Sequence, residues 1–174
     1  MLSYNEVKGD LIKLAKEGKF DVICHGCNCQ SVMRAGIAVE MAKTFNCDKF
    51  PMENQGPNIL KLGNIDFKCY VLGFNGAIWD TDNASNNLDE PELYVINAYT
   101  QNMYGKNHKD GINAPVDYEA IILCMRKINV IFKGKHIGLP LIGAGLAGGD
   151  WNKIREIIKT ELSDCHITIV IYNK

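Results

Sequence analysis

The sequence predicts an α/β domain built on a mixed or mostly parallel sheet. Strand-like and helix-like patterns alternate from end to end, no internal repeat interrupts them, and two of the strand patterns lead through loops straight into helices. The chain has 174 residues, 47 % hydrophobic and 22 % charged, which supports one domain, 1–174, with a sizeable core.

Residues 20–24 (Phe-Asp-Val-Ile-Cys) read as a short buried strand, and beyond a loop Ile37, Ala38, Met41, Ala42 and Phe45 recur along one helical face. Residues 59–62, 69–74 and 93–98 read as further strands, the last rich in β-favouring Tyr, Val and Ile. The longest helix carries the apolar stripe Tyr118, Ile121, Ile122, Met125, Ile128 and Phe132, starting near Asp117 and stopping at Gly134. Residues 136–142 give another strand. After a glycine run, Trp151, Ile154, Ile157, Ile158 and Leu162 form an amphipathic helix that Asp150 or Gly149 can cap, and residues 167–172 form the closing strand. Two stretches read as loops. Residues 75–92 carry Asp80, Asp82, Asp89, Glu90 and Glu92 without Lys or Arg, which predicts an acidic solvated insertion, with a lid or partner surface as the alternative. Residues 101–116 read as a second loop, with Lys106, His108 and Lys109 as surface charge.

Nineteen Lys and Arg against 20 Asp and Glu give a net charge of −1, so no general attraction to nucleic acid or anionic lipid is expected, and an anionic ligand must be held by local geometry. Seven cysteines at irregular spacings make no disulfide framework, and the opening Met-Leu-Ser-Tyr-Asn-Glu lacks a signal peptide's basic and apolar segments. A reducing, intracellular, cytoplasmic setting is expected. The apolar stretches fall well short of the ~20 residues that span a bilayer, so no membrane association is expected.

The strongest chemical signal is the run Ile142-Gly143-Ala144-Gly145-Leu146-Ala147-Gly148-Gly149 between a strand and a helix. Successive glycines let backbone N–H groups point into one concavity in front of a helix N-terminus, which suits a phosphate; the alternative is a tight turn using glycine for packing alone. The run matches a dinucleotide fingerprint in spacing, but the chain left after it holds only one helix and one strand, too little for the rest of that unit. Gly149-Asp150 stands where a P-loop needs Lys and Ser or Thr, so an NTPase is not expected. The second signal is Cys24-His25-Gly26-Cys27-Asn28-Cys29-Gln30 followed by Met33-Arg34-Ala35-Gly36-Ile37-Ala38, a strand-to-helix loop at the same edge of the sheet. The two loops can face one another across a diphosphate.

A zinc site would need a second close-spaced pair, which Cys47, Cys69, Cys124 and Cys165 do not supply. Arg34 is out of register with both Cys27 and Cys29 for a cysteine-phosphatase loop, so most of these thiols read as small buried hydrophobes. His25 is either an inert histidine at the end of a buried strand or a titratable group beside a phosphoryl site.

These residues resemble a macrodomain, the ADP-ribose-binding module, over nearly the whole chain. Val7-Lys8-Gly9-Asp10-Leu11 is similar to the family's first-strand Gly-Asp-Ile element, Cys27-Asn28 with Gly36-Ile37-Ala38 to its first loop, and Leu139-Pro140-Leu141-Ile142-Gly143-Ala144-Gly145 to its second. His25-Gly-Cys-Asn28-Cys and Gly148-Gly149-Asp150-Trp151 most resemble the branch of ADP-ribose-1''-phosphate phosphatases and terminal ADP-ribose protein glycohydrolases, although the family's Asn-Ala-Ala-Asn is altered here to Gly-Cys-Asn. The resemblance implies a three-layer α/β/α macrodomain with a central mixed sheet. It implies that Asp10 accepts the adenine amine, with Gly9 and Leu11 beside the ring and Tyr172 stacking on it; helix capping by Asp10 and an ordinary strand role for Tyr172 are the alternatives. The residue 143–149 loop with Leu141, Ile142 and the Gly36-Ile37-Ala38 amides would hold the phosphates. Asn28 would bind the distal ribose, and Gly26, Cys27, Met33, Arg34 and Ala35 belong to the expected substrate-binding set.

The glycohydrolases of that branch use a lysine where this chain reads Ala98-Tyr99-Thr100-Gln101 and an aspartate where it has Ala147, so a lysine-linked intermediate is not available. The implied activity is therefore that of a hydrolase, a phosphatase acting on ADP-ribose-1''-phosphate by water attack, with Asn28, His25 and Asp150 as the candidate catalytic set and His25 or Asp150 handling protons. A non-catalytic reader of ADP-ribose or ADP-ribosylated macromolecules, and removal of ADP-ribose from them, are the alternatives. No cofactor or metal is implied, and a monomer is expected.

Overall fold

The computed structural model describes residues 1–81, 91–104 and 115–173. Its elements in chain order are β1 (Ser3–Lys8), α1 (Leu11–Lys16), β2 (Val22–Asn28), α2 (Ile37–Phe45), α3 (Pro51–Asn54), β3 (Ile65–Leu72), β4 (Ile78–Asp80), β5 (Glu92–Gln101), α4 (Tyr118–Ile131), β6 (His136–Leu139), α5 (Trp151–Glu161) and β7 (His166–Ile171). One seven-stranded sheet has the order β1-β7-β6-β2-β5-β3-β4. The pairs from β1 through to β5 are parallel, and β3 and β4 add antiparallel to one edge.

The parallel strands read as apolar runs because helices cover both faces. Val22, Cys24, Ile96, Ala98, Ile167 and Ile169 pack on one face against Ile121, Met125 and Ile128 of α4 and Ile154 and Ile158 of α5. Ile23, Leu93 and Val95 pack on the other against Leu11 and Ala15 of α1 and Met41 and Phe45 of α2. The result is three layers, α/β/α, around a mixed sheet, as expected.

Both long helices begin where the sequence places them. Asp117 Oδ1 accepts from Ala120 N at 2.9 Å and Asp150 Oδ1 from Asn152 N at 2.9 Å, each satisfying a first-turn donor. Other expectations are corrected. Residues 59–62 are not a strand: a single 3-10 turn spans Ile59–Lys61, started by the Asn58 side chain accepting from Leu60 N at 2.9 Å. Burial there is the reverse of the apolar pattern, with Leu60 77 % exposed and Lys61 1 % exposed. Strand β3 starts at Ile65 and ends at Leu72, short of residue 74. Within 75–92, residues 78–80 form β4, which pairs with β3, and Glu92 opens β5; the acidic residues Asp82, Asp89 and Glu90 lie outside the described residues, as do Lys106, His108 and Lys109. No helix of the described residues is long and apolar enough to cross a membrane.

Replacing the N-cap of the longest helix, Asp117→Ala, should lower stability by about 1 kcal/mol, read as a lower urea midpoint at unchanged slope; an unmoved midpoint would show that the cap contributes nothing.

Candidate functional site

Strand β6 is only four residues long and ends where Pro140, which has no N–H to give a ladder, follows Leu139. It pairs with β2 at Val22↔Ile137 and Ile23↔Gly138, whereas β2 runs on beside β5 to Asn28. From β2 the chain continues to α2 on one face of the sheet, and from β6 to α5 on the other. This is a topological switch point, where the loops diverge and a crevice opens beyond the strand ends.

Two adjoining cavities occupy that crevice. One, of about 450 Å³, is lined by Gly26–Asn28, residues 32–38, Thr100, Gln101, Tyr104 and the second loop from Pro140 to Ala147, with Ala144 excepted. The other, of about 530 Å³, is lined by Gly9, Asp10, Leu11, Ile12, Glu40, Val170, Ile171 and Tyr172. They share Gly36, Ile37, Pro140 and Leu141. Residues at the C-terminal ends of all five parallel strands thus border one continuous cleft.

Its waist is made of backbone. Gly36, at φ +61°, is the N-cap of α2 and brings no capping side chain, so no side chain caps the first-turn N–H groups of that helix, whose first turn carries one acidic residue, Glu40. Across from them, the amides of Gly145, Leu146 and Ala147 donate to no acceptor among the described residues. A Cβ at Gly36 would lie 3.5 Å from Leu146 Cδ1, so the two turns meet over the cavity. The second turn is closed by Gly149 N donating to Gly143 O at 2.9 Å. The first is anchored from behind by the buried Lys61, whose Nζ donates to Ser31 Oγ at 2.7 Å, while Ser31 Oγ donates to Glu53 O at 3.0 Å. Arg34 is the one cationic side chain among the described lining residues.

Most of the expected binding residues therefore come together: Gly9, Asp10, Leu11 and Tyr172 in one half, and Gly26, Cys27, Asn28, Met33, Arg34, Ala35, Ala38, Ile142, Gly143, Gly145, Leu146 and Ala147 in the other. Ala144, Gly148 and Gly149 are not on the lining, because that part of the turn folds back on itself. Asp10 also caps α1, its Oδ1 accepting from Lys13 N at 3.0 Å. Asn28 shapes its own loop: Oδ1 accepts from Gln30 N at 3.1 Å and Val32 N at 3.2 Å, and Nδ2 donates to Val32 O at 2.7 Å.

Two of the three expected catalytic residues are elsewhere. His25 is fully buried and absent from the lining, because strand alternation turns it away from the side of Cys24 and Gly26. Its Nε2 meets Asn97 Oδ1 at 2.8 Å, with Cys47 Sγ at 3.6 Å and Cys27 Sγ at 3.7 Å. Burial pushes its pKa down to about 4, so the ring is neutral at pH 7. Asp150 is exposed and capping α5. Burial also pushes the Cys27 thiol well up, which leaves it protonated and a poor nucleophile. Residues the sequence reading missed are Val32, Thr100, Gln101, Tyr104 and Pro140 in one half and Ile12, Glu40, Val170 and Ile171 in the other; the signal that could have found Thr100 and Gln101 is a polar pair at the end of a buried strand. The described residues contain no cluster of His, Cys, Asp and Glu able to hold a metal.

The glycines of the second turn should separate by substitution. A Cβ at Gly149 would lie 2.7 Å from Gly143 O, so Gly149→Ala is expected to cost about 1–3 kcal/mol. At Gly145 nothing lies within 4 Å, so Gly145→Ala should leave the unfolding midpoint unchanged; equal losses in the two variants would refute this division. His25 predicts a pH dependence. Unfolded, it titrates near ~6.5, and folded it resists protonation to about 4, so its contribution is complete above pH ~6.5 and is lost as pH falls towards 4. His25→Gln should flatten that decline relative to the parent. Comparing the two proteins cancels Glu53 and Asp66, whose pKa values are raised by burial; parallel profiles would contradict the assignment.

No family model matches the chain. An uncharacterised 17.5 kDa protein from the tk-vs intergenic region of Enterobacteria phage T4 is 32 % identical over 172 residues, covering 94 % of this chain and 93 % of the relative. Among solved structures, the macrodomain of Mycobacterium tuberculosis DarG superposes with a TM-score of 0.62 at 18 % identity, covering 96 % of both chains. Thermosipho africanus DarTG in complex with ADP-ribose gives 0.68 at 17 % identity, over 99 % of this chain and 42 % of that one. The chain belongs to the family of the phage T4 protein, and its fold is that of a macrodomain.

Proposed function

We propose that this protein binds ADP-ribose along the cleft and hydrolyses the terminal phosphate of ADP-ribose-1''-phosphate. Adenosine occupies the half bounded by Asp10, Leu11 and Tyr172, the diphosphate lies at the waist, and the terminal ribose reaches the half bounded by Asn28, Thr100 and Gln101. The observation that carries the reading is the waist itself: a helix N-terminus without a capping side chain, and amides with no acceptor among the described residues, on the two turns that line one cavity. That a macrodomain-fold relative, Thermosipho africanus DarTG, is solved with ADP-ribose supports the choice of ligand.

Hydrolysis would proceed by attack of water on phosphorus, breaking the bond to the C1'' oxygen and releasing inorganic phosphate and ADP-ribose. Binding energy on adenosine and diphosphate orients the phosphomonoester, and amide dipoles offset developing charge. Neither His25 nor Asp150 lines the cavity, so proton transfer falls to the substrate's own phosphoryl oxygens and solvent. The same observation favours a second reading, a non-catalytic reader of ADP-ribose or of ADP-ribosylated macromolecules. De-ADP-ribosylation is disfavoured, because residues 98–101 hold no lysine and Ala147 stands where that chemistry uses an aspartate.

Isothermal titration should give a preference for ADP-ribose over ATP and NAD, and failure to bind ADP-ribose would overturn both readings. Incubation with ADP-ribose-1''-phosphate should then release inorganic phosphate, and binding without release would leave the reader alone.

A further inference from the structure

The residue pairing of β2 with β5 slips once. Cys27 stands opposite Tyr99 and Asn28 opposite Gln101, so Thr100 is an extra residue in β5, at a bulge beside the cleft. Bulges of this kind re-aim a side chain. The Thr100 carbonyl is engaged, accepting from Asp117 N at 2.8 Å. Its hydroxyl is not: Oγ1 is buried and has no hydrogen-bond partner among the described residues, although the residue lines the 450 Å³ cavity. The neighbouring lining residue is Gly26, where an added Cβ would lie 3.0 Å from Thr100 Oγ1 and 3.3 Å from Ile142 Cγ1. With no side chain at Gly26, the space beside the hydroxyl on that side is left unfilled. A buried hydroxyl left unpaired is costly, and one on a cavity lining can be paired by a ligand that enters beside it.

We propose that Thr100 is a specificity-determining residue for the terminal ribose, its hydroxyl exchanging a hydrogen bond with a hydroxyl of that sugar across the space left by Gly26. The proposal rests on the ADP-ribose reading above, which puts the terminal ribose in this half of the cleft. A neutral hydroxyl both donates and accepts, so it suits a sugar hydroxyl, and it selects against ligands that stop at the diphosphate.

The test is titration of the parent protein, Thr100→Val and Thr100→Ser with ADP and with ADP-ribose. Valine keeps the shape of threonine and removes the hydroxyl, so the ratio of ADP-ribose affinity to ADP affinity should fall about tenfold, and serine should restore it. If the parent binds ADP-ribose and the valine variant keeps the parent's ratio, the assignment of Thr100 fails while the ADP-ribose reading stands. If the parent does not bind ADP-ribose, that reading fails and this inference with it. Should the valine variant not fold, ADP-ribose analogues lacking single hydroxyls on the terminal ribose serve with the parent protein: loss of one hydroxyl should weaken binding about tenfold, and undiminished affinity for all of them overturns the proposal.

Discussion

The cleft depends on one mismatch of lengths in the sheet, a four-residue β6 set beside the longer β2. Had β6 kept pace with β2, its backbone would fill the space beyond Ile23 that the two turns now border. Pro140 stops it, and the chain then leaves over the face opposite to the one α2 occupies. Every other feature of the site follows: the two loops diverge at that point, the strand ends are exposed between them, and an uncapped helix start looks across at a turn with spare amides.

The electrostatics fit a chain with almost balanced charge. Net charge is −1, and the described lining holds a single cation, Arg34, against Asp10 and Glu40. An anion held here is therefore held mainly by fixed dipoles at short range, which depend on geometry and are less sensitive to salt than an array of lysines would be. Such an arrangement needs rigid turns. Gly149 closes the second turn onto Gly143, and the buried Lys61 ties the first through Ser31, so the amides are set in place before a ligand arrives.

Strand alternation has a further effect on the chemistry. Gly26 faces the cleft, and its neighbour His25 is sealed into a polar pocket with Asn97, Cys27 and Cys47. A neutral, fully buried imidazole there organises the interior beneath the first loop. The acid-base groups that a sequence reading places beside the phosphoryl group have structural work instead, His25 in the core and Asp150 at the start of α5. What lines that half of the cleft includes the neutral polar side chains of Asn28, Thr100 and Gln101 and the cationic Arg34.

The sequence by itself determined the fold class, the long helices with their starts near Asp117 and at Gly149-Asp150, and the two loops that border the cleft. These are written locally, in apolar periodicity, capping side chains and glycines, and need no distant partner to be read. Tertiary structure decided the rest. Ile59 and Leu60 turn outward in a 3-10 turn because Asn58 starts it and Lys61 finds Ser31, and that choice is invisible without Ser31 in place. Which face of β2 looks into the cleft, and so the roles of His25 and Gly26, is set by where β5 and α2 pack. The position of Thr100 comes from a slip in strand register, a property of two strands together that neither carries alone.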